Sequence, residues 1–523
     1  MSSLPWLDRA ILILYLSVIF GVGAAFYRRK TNIGEYFVAG RQIPTLVVVI
    51  GLAASLMSCI SYLGVPSYSF RVDMVPAATL FAAPIAFWVV ARMFLPFFFK
   101  LELVTSYQYL EWRFGPSVRL VASCLFLTSR FLWLALVSYG AAVALKFTMP
   151  VSLPIRVEAA LRSAHIDPSI GFWVFALGFI GTAYTMLGGM RAVMWTDLLQ
   201  FTMLCFGLFS VLAIAVGGTG LSLRAIWHIA EQAGRTKLFD FTFNWKEGTF
   251  WAALAGGIFL WLGDFGLDQI AAQRYLSAKS LRQSQKSALL SFLINAPLML
   301  LLYGMGLVLF AYYRTFPNSK LNEAMTQNPD VLVPFFYMDR MPPGLLGLML
   351  ATILAATMSC LTAGINSLSA SSIVDIYGPY FRPAASSERM VLQGRWITVM
   401  WGVALTIGAA YVNNLRAGLM ELSWIFLGLS ATLNIGIFLT AVLLPHVGTR
   451  ALWYGVVAGA ACSGFAVVLG VHWLWYYVFG ALSLIAVAAI AGTITQPPPA
   501  STIDGLTFWT RDRPIQAIAK VGT

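Results

Sequence analysis

Residues Ala351 to Tyr377 read ATILAATMSCLTAGINSLSASSIVDIY, a stretch apolar enough to cross a bilayer that also carries hydroxyl and amide side chains along one helical face. At about 100° per residue, Ser359, Thr362, Asn366 and Ser369 fall within one quadrant. Hydrocarbon does not tolerate such a stripe, so its oxygens are expected to converge on a polar ligand, as in a membrane protein that coordinates a cation. The alternative is that Ser359 and Thr362 only hydrogen-bond their own backbone, as hydroxyls in membrane helices often do.

The rest of the chain shares this character. Of 523 residues, 59% are hydrophobic and 11% charged, and the mean hydropathy is +0.78, outside the range of soluble domains. At about 20 apolar residues per crossing, about thirteen spans are expected. They start near Asp8, Ile43, Val75, Val118, Ile170, Val193, Thr249, Ser287, Pro343, Val391, Leu419, Ala451 and His472. The reading is an all-α integral membrane protein with one transmembrane domain over residues 1–495. A short cytoplasmic tail over 496–523 opens at Gln496-Pro497-Pro498-Pro499.

The first apolar run, Ile11 to Phe26, is followed by Arg28, Arg29 and Lys30 and not by a small-residue cleavage site, so it reads as a span and not a signal peptide. The basic residues Arg274, Lys279, Arg282, Lys286, Arg382, Arg389, Arg395, Arg511, Arg513 and Lys520 fall on the same side as that cluster. The expectation is therefore an external N-terminus and a cytoplasmic C-terminus in the plasma membrane. Arg235, Lys237, Lys246 and Lys320 fall in loops assigned outside. The net charge of +13 reads as membrane orientation, and no Lys/Arg run interleaved with aromatics suggests nucleic acid. Cys59, Cys124, Cys205, Cys360 and Cys462 lie in apolar spans without CxxC spacing, and His165, His228, His446 and His472 are scattered. Neither set implies a disulfide framework or a transition-metal centre. Gly364-Ile365-Asn366-Ser367 is no GxSxG elbow, and the chain does not read as an enzyme.

Two spans are interrupted. The second carries Ser55, Ser58, Ser61, Gly64 and Pro66, and the seventh carries Gly256, Gly257, Gly263, Asp264 and Gly266. Both are expected to unwind near mid-membrane. Lying an odd number of spans apart, they enter from opposite sides, the arrangement of an inverted-repeat transporter.

Several motifs in order resemble one family over nearly the whole chain. They are Gly34-Glu35-Tyr36-Phe37-Val38-Ala39-Gly40-Arg41, Tyr109-Leu110-Glu111-Trp112-Arg113-Phe114-Gly115 and the segment from Tyr184 through Gly188-Gly189 to Trp195-Thr196-Asp197. Asp268-Gln269, Gln273-Arg274-Tyr275-Leu276-Ser277-Ala278-Lys279, Asn366-Ser367 and Asp375-Ile376-Tyr377 complete the set. The chain thereby resembles the sodium/solute symporters, which include sodium-glucose, proline, iodide and monocarboxylate carriers. The resemblance implies a LeuT-type five-plus-five inverted repeat from the second to the eleventh span, Na⁺ as coupling ion, and a monomeric functional unit.

It also implies sodium ligands: Ala54 and Met57 in the second span, and Ala356, Ser359 and Cys360 in the ninth. Unwound backbone and hydroxyls supply the oxygens a hard cation requires. Cys360 departs from the family's Ser or Thr, and a thiol is too soft a substitute. Either Thr362 or a water fills the gap, or the site is weak and coupling falls to protons. By resemblance Asp197 lies on the cytoplasmic ion path and contributes to a second sodium site in some relatives. The bland alternative is a helix N-terminal charge.

Arg130 lies about eleven residues into its span, roughly 16 Å deep. Its guanidinium fork suits a carboxylate, either of the substrate or of Asp264. Sialic acid carriers, by resemblance, use an arginine on the corresponding helix for the substrate carboxylate. Asp264 and Asp268, four apart, share a face if helical, and one would then hold a proton unless unwinding separates them. Asp268 belongs to the Asp-Gln motif and is expected to be structural. The implied substrate contacts are Ser58, Ser61, Arg130, Trp261, Asp264, Phe265 and Asn295. Leu56, Ser61, Leu80, Trp261 and Asn295 stand where the sugar branch has amide, acidic or basic groups, and Ile60 to Pro66 resembles the monocarboxylate, iodide and vitamin branch.

The expected function is sodium-coupled import of a small organic solute, a carboxylate such as a monocarboxylate or sialic-acid-like molecule, by alternating access. The alternatives are a sugar or polyol symporter, a proton-coupled carrier, a non-transporting sensor on the same fold, and a passive channel, which no charged ring supports.

Overall fold

The computed structural model describes residues 4–25, 32–381, 386–412 and 419–515; Arg28, Arg29, Lys30, Arg382 and Lys520 lie outside them. The described chain is helical throughout its spans. In order these are α1 (Trp6–Ala25), α2 (Thr45–Leu56) and α3 (Ile60–Arg71), α4 (Val75–Lys100), α5 (Pro116–Thr148), α6 (Pro168–Met186) and α7 (Gly188–Thr219). There follow α8 (Phe250–Leu267), the short α9 (Gln269–Leu276), α10 (Leu281–Thr315), α11 (Leu345–Phe381), α12 (Glu388–Tyr411), α13 (Leu419–Leu443), α14 (Thr449–Val468) and α15 (Trp473–Ile494).

Among the described residues 11 helices are long and apolar enough to cross a membrane, and the bent pair α2/α3 brings the number to 12. α13 is a further helix, of 25 residues, so the described residues are in line with about thirteen spans without establishing that number. Exposed Phe175, Phe179, Leu293 and Ile490 give the perimeter its apolar surface, which lipid chains solvate without cost. The helix α11 is the opposite case, buried inside the protein along most of its length.

The second span breaks where its serines cluster. Met57 leaves helical geometry (φ −92°, ψ 74°), and α2 and α3 meet at 56°. The seventh span behaves differently from expectation. Gly263–Leu267 stays helical as a widened turn, and the chain becomes extended only at Asp268 (φ −63°, ψ 131°). Its glycines serve packing: a Cβ on Gly256 would lie 2.4 Å from the Leu474 carbonyl oxygen, and one on Gly266 would lie 2.8 Å from Val90 Cγ2. Small residues let helices approach where side chains would hold them apart.

The two interrupted spans run in opposite directions. At one face the start of α2 meets the end of α9, with Ile43 N–H donating to the Ser277 carbonyl at 3.1 Å. At the other face the end of α3 meets the segment before α8, with Met74 N–H donating to the Lys237 carbonyl at 3.0 Å. This is the antiparallel pairing of an inverted repeat.

The motif residues Glu111 and Asp375 both pair with Arg119, at the end shared by α5 and α11. Arg119 Nε donates to Asp375 at 2.9 Å and Nη2 to the Val374 carbonyl at 2.6 Å, and Nη1 pairs with Glu111. The described part of the tail folds back on this face, with Tyr109 Oη donating to the Leu506 carbonyl at 2.7 Å and Trp509 Nε1 to the Leu443 carbonyl at 2.8 Å.

At the opposite face, Asp330 in the connection before α11 is buried and accepts from Leu419 N–H at 2.8 Å. Burial pushes its carboxyl up to about 6, with the Leu419 hydrogen bond and Arg71 opposing and Glu421 adding to the rise. Because the folded chain holds this proton more readily than the unfolded chain, Asp330 lowers stability as pH rises from the ordinary value of 3.8 to about 6, and its effect is level above that. In thermal melts from pH 4 to pH 7 (about the window set by this shift), Asp330→Asn is expected to lack this decline; melts that fall in parallel with wild type would exclude the assignment.

Candidate functional site: an ion junction beside a polar cavity

The candidate ion junction is where the break after α2 faces α11. A broken helix leaves carbonyls of its last turn without helical donors. One of them, on Ser55, lies 4.0 Å from Cys360 Sγ, which brings that face of α11 onto the break. Ala54 accepts from Met57 N–H at 3.1 Å. Ala356, Ser359 and Cys360 are all buried on α11.

Ser359 Oγ donates to Asp197 Oδ1 at 2.8 Å, and Arg274 Nη2 donates to Asp197 Oδ2 at 2.8 Å. All three residues are at most 1% exposed. A hydroxyl whose proton is committed to a carboxylate presents its lone pairs elsewhere, so Ser359 is oriented as an oxygen donor. The donor set fits an alkali cation except at Cys360, whose sulfur is a poor ligand for one.

The stripe on α11 does not converge on one point. Thr362 Oγ1 donates to its own backbone at Met358 O, 2.8 Å, the local bond that hydroxyls in membrane helices often make. Asn366 Nδ2 reaches Gln273 Oε1 at 3.4 Å and Ser367 Oγ reaches the same oxygen at 2.7 Å, while Ser369 bonds Thr398 at 2.9 Å. The quadrant is shared, but about 1.5 Å of rise per residue carries successive side chains past different neighbours.

Next to the junction lies a cavity of about 150 Å³ whose polar wall includes Ser58, Ser61, Arg130, Asp264 and Asp268. Its apolar wall includes Trp133, Trp261, Trp424 and Trp473. The serines are tied locally: Ser61 Oγ donates to the Leu56 carbonyl at 3.1 Å, and Ser61 N–H to Ser58 Oγ at 3.2 Å. Trp261 Nε1 donates to the Thr79 carbonyl at 2.8 Å and Trp133 Nε1 to Ser423 Oγ at 2.9 Å. Trp424 stacks on Trp473 with ring centroids 4.2 Å apart.

Arg130 pairs with Asp268, not with Asp264. Its guanidinium also lies over the Trp133 ring at 4.7 Å, and its Nε has no hydrogen-bond partner among the described residues. The break falls at Asp268, so this residue caps α9, accepting from Ile270 N–H at 2.7 Å. That turn aims its carboxylate at α5.

Two expected contacts fall outside the cavity wall. Phe265 is buried against Phe87 and Trp261, at centroid distances of 4.1 and 5.3 Å, because the widened turn points it into the α4 packing. Asn295 is buried on α10, and both polar atoms of its amide lack partners among the described residues. Sequence reasoning missed the Arg274 pairing, although the Gln-Arg-Tyr motif marked the residue. It also missed Trp133, Ser423, Trp424 and Trp473, which no local signal distinguishes from other apolar-face residues.

The sequence profile of the Sodium:solute symporter family matches residues 36–459. The chain is 31% identical over 437 residues to sodium-coupled monocarboxylate transporter 1 of Homo sapiens, covering 82% of this chain and 67% of that one. It is 27% identical over 514 residues to the sodium/sialic acid symporter NanT of Aliivibrio fischeri, covering 95% and 94%. A solved structure of a Na⁺-coupled sialic acid symporter, substrate-bound and outward-open, superposes with a TM-score of 0.83 at 22% identity, covering 94% of this chain and 99% of that one. The shared fold is the LeuT-type helical arrangement already read from the antiparallel broken spans. The chain belongs to the sodium:solute symporter family and is a multi-pass membrane carrier that couples Na⁺ to the movement of an organic solute.

Proposed function

We propose that the solute is a small carboxylate bearing hydroxyl groups, held by its carboxylate at Arg130 and by its hydroxyls at Asp264 and Asp268. The observation that carries this reading is the charge of the cavity wall, one guanidinium facing two carboxylates. A guanidinium takes a carboxylate through two parallel N–H bonds, whereas carboxylates only accept and so select a ligand rich in O–H donors. The pair with Asp268 keeps Arg130 positioned until a ligand carboxylate competes for the fork, and the unpartnered Nε leaves one edge available. Similarity to monocarboxylate and sialic acid carriers supports the same class.

Sodium binds, in this reading, at the junction of Ala54, Met57, Ala356 and Ser359, with Asp197 holding the Ser359 hydroxyl and Cys360 and Thr362 contributing packing. Its charge steadies the break between α2 and α3, and α3 carries Ser61 into the cavity. Coupling is then the difference in solute affinity between the sodium-bound and sodium-free states. The unit is a monomer with a single membrane domain and a short tail. Its setting is the plasma membrane with the N-terminus outside and the C-terminus in the cytoplasm, a reading supported by the excess of basic residues in the loops on that side. A second reading, a neutral polyol or sugar, draws on the same two carboxylates and differs in not needing Arg130.

Uptake of labelled lactate, sialic acid and inositol into proteoliposomes separates the readings. An inward Na⁺ gradient is expected to drive the acids and not inositol, and a proton gradient alone is expected to drive none. Arg130→Gln is expected to weaken carboxylate uptake by at least about thirtyfold, the loss for breaking one buried charge pair of about 2–5 kcal/mol, while Na⁺ still raises the melting temperature. Inositol uptake that survives in Arg130→Gln would establish the polyol reading instead. For the ion junction, Ser359→Ala is expected to raise half-saturating Na⁺ roughly tenfold, or about 1.4 kcal/mol. An unchanged Na⁺ dependence in that variant would remove Ser359 from the site.

A further inference from the structure

The face that carries the tail holds a second cavity, of about 320 Å³, outside the transport path. Arg92, Phe97 and Lys100 of α4, Gln285 of α10, and Arg511 and Asp512 of the tail contribute to its wall. Three cations against one carboxylate leave a surplus of positive charge.

Each cation is placed differently. Arg92 is exposed, two turns short of the end of α4, and makes no ion pair or hydrogen bond among the described residues. At about 1.5 Å per residue it lies roughly 12 Å from that end. A guanidinium on a membrane-spanning helix reaches toward the headgroup layer or finds an anion there. Lys100 Nζ donates to the carbonyls of Arg511 at 2.9 Å and Arg513 at 3.0 Å, fixing the tail as the outer wall. The Arg511 guanidinium is held over the Phe508 ring at 4.9 Å, and its nearest carboxylate, Asp512, is 3.9 Å away. Gln285 Nε2 donates to the Ala91 carbonyl at 2.7 Å, which closes the seam between α4 and α10 beneath the cations. Pro96 and Phe97 give the wall an apolar strip.

We infer that this cavity binds the phosphate headgroup of an anionic phospholipid. A basic pocket between membrane helices on the headgroup plane has the chemistry for it. Two features favour a lipid over free phosphate: Arg92 stands on a membrane-spanning helix, and the apolar strip suits the glycerol and upper acyl chain. The tail, the α4 terminus and α10 are then bridged by one bound molecule.

The full-length protein is reconstituted in nanodiscs of phosphatidylcholine with or without phosphatidylglycerol, and retained lipid is counted by native mass spectrometry. Wild type is expected to retain phosphatidylglycerol preferentially. R92Q/R511Q is expected to lose that preference by about fivefold for each cation removed, and R389Q, which removes a cation on the same face outside the cavity, is expected to keep it. The Na⁺-dependent thermal shift, measured on the same samples, verifies that the double variant is folded. Equal retention of the two lipids by wild type, or an equal loss in R389Q, overturns the inference. So does inorganic phosphate if it raises the melting temperature of wild type in pure phosphatidylcholine as much as phosphatidylglycerol does and R92Q/R511Q abolishes the rise, since the pocket would then be a site for free phosphate.

Discussion

A carboxylate buried in the middle of a helical membrane protein must be answered by protein groups, and here Asp197 is answered by two: the Arg274 guanidinium and the Ser359 hydroxyl, each at 2.8 Å. Much of the arrangement follows from that requirement. Breaking a buried pair of this kind by removing one partner costs about 3–5 kcal/mol, so α7, α9 and α11 are held in one relative placement. That placement sets the α11 face against the break after α2, with Cys360 Sγ 4.0 Å from the Ser55 carbonyl. An oxygen-lined junction arises as a consequence of satisfying a charge.

The short helix α9 links the two halves of the site. Its 8 residues follow the cap Asp268, which pairs with Arg130 in the cavity wall, and they include Arg274, which pairs with Asp197 beside the junction. With the sites as proposed, a ligand that competes for Arg130 would act on the cap of α9, and an ion that draws on Ser359 would act on the partner of its far turn. Because packed interiors shift between discrete arrangements and do not deform continuously, these two events bias one element. The antiparallel setting of α2/α3 and α8/α9 is the arrangement on which inverted-repeat transporters build alternating access.

Much of this was legible from residue order. The hydroxylated face of Ala351–Tyr377, the serine-rich interruption of the second span and the mid-membrane depth of Arg130 each announced a group that lipid could not accommodate. Where reading failed, the cause was choice of partner. Gly263 and Gly266 suggested unwinding, yet glycine serves close helix contact equally well, and Val90 and Phe94 against Gly266 decide for packing. Arg130 had two carboxylates in reach, and the extended geometry of Asp268 settled the pairing. Phe265 is carried out of the cavity wall by the widened turn of α8, and Asn295 lies outside the wall although Met299, one turn along α10, belongs to it. The tryptophans that complete the wall come from α5, α8, α13 and α15, and only the tertiary fold assembles them.

In the proposed mechanism, ion capture at the junction and solute capture at Arg130 are one linked equilibrium. The most direct measurement is the binding of radiolabelled Na⁺ to purified protein with and without saturating carboxylate solute, paired with solute binding at zero and saturating Na⁺. Linkage requires the two affinity ratios to be equal, and the account predicts equal factors well above one. Sodium binding that is indifferent to the solute would contradict it.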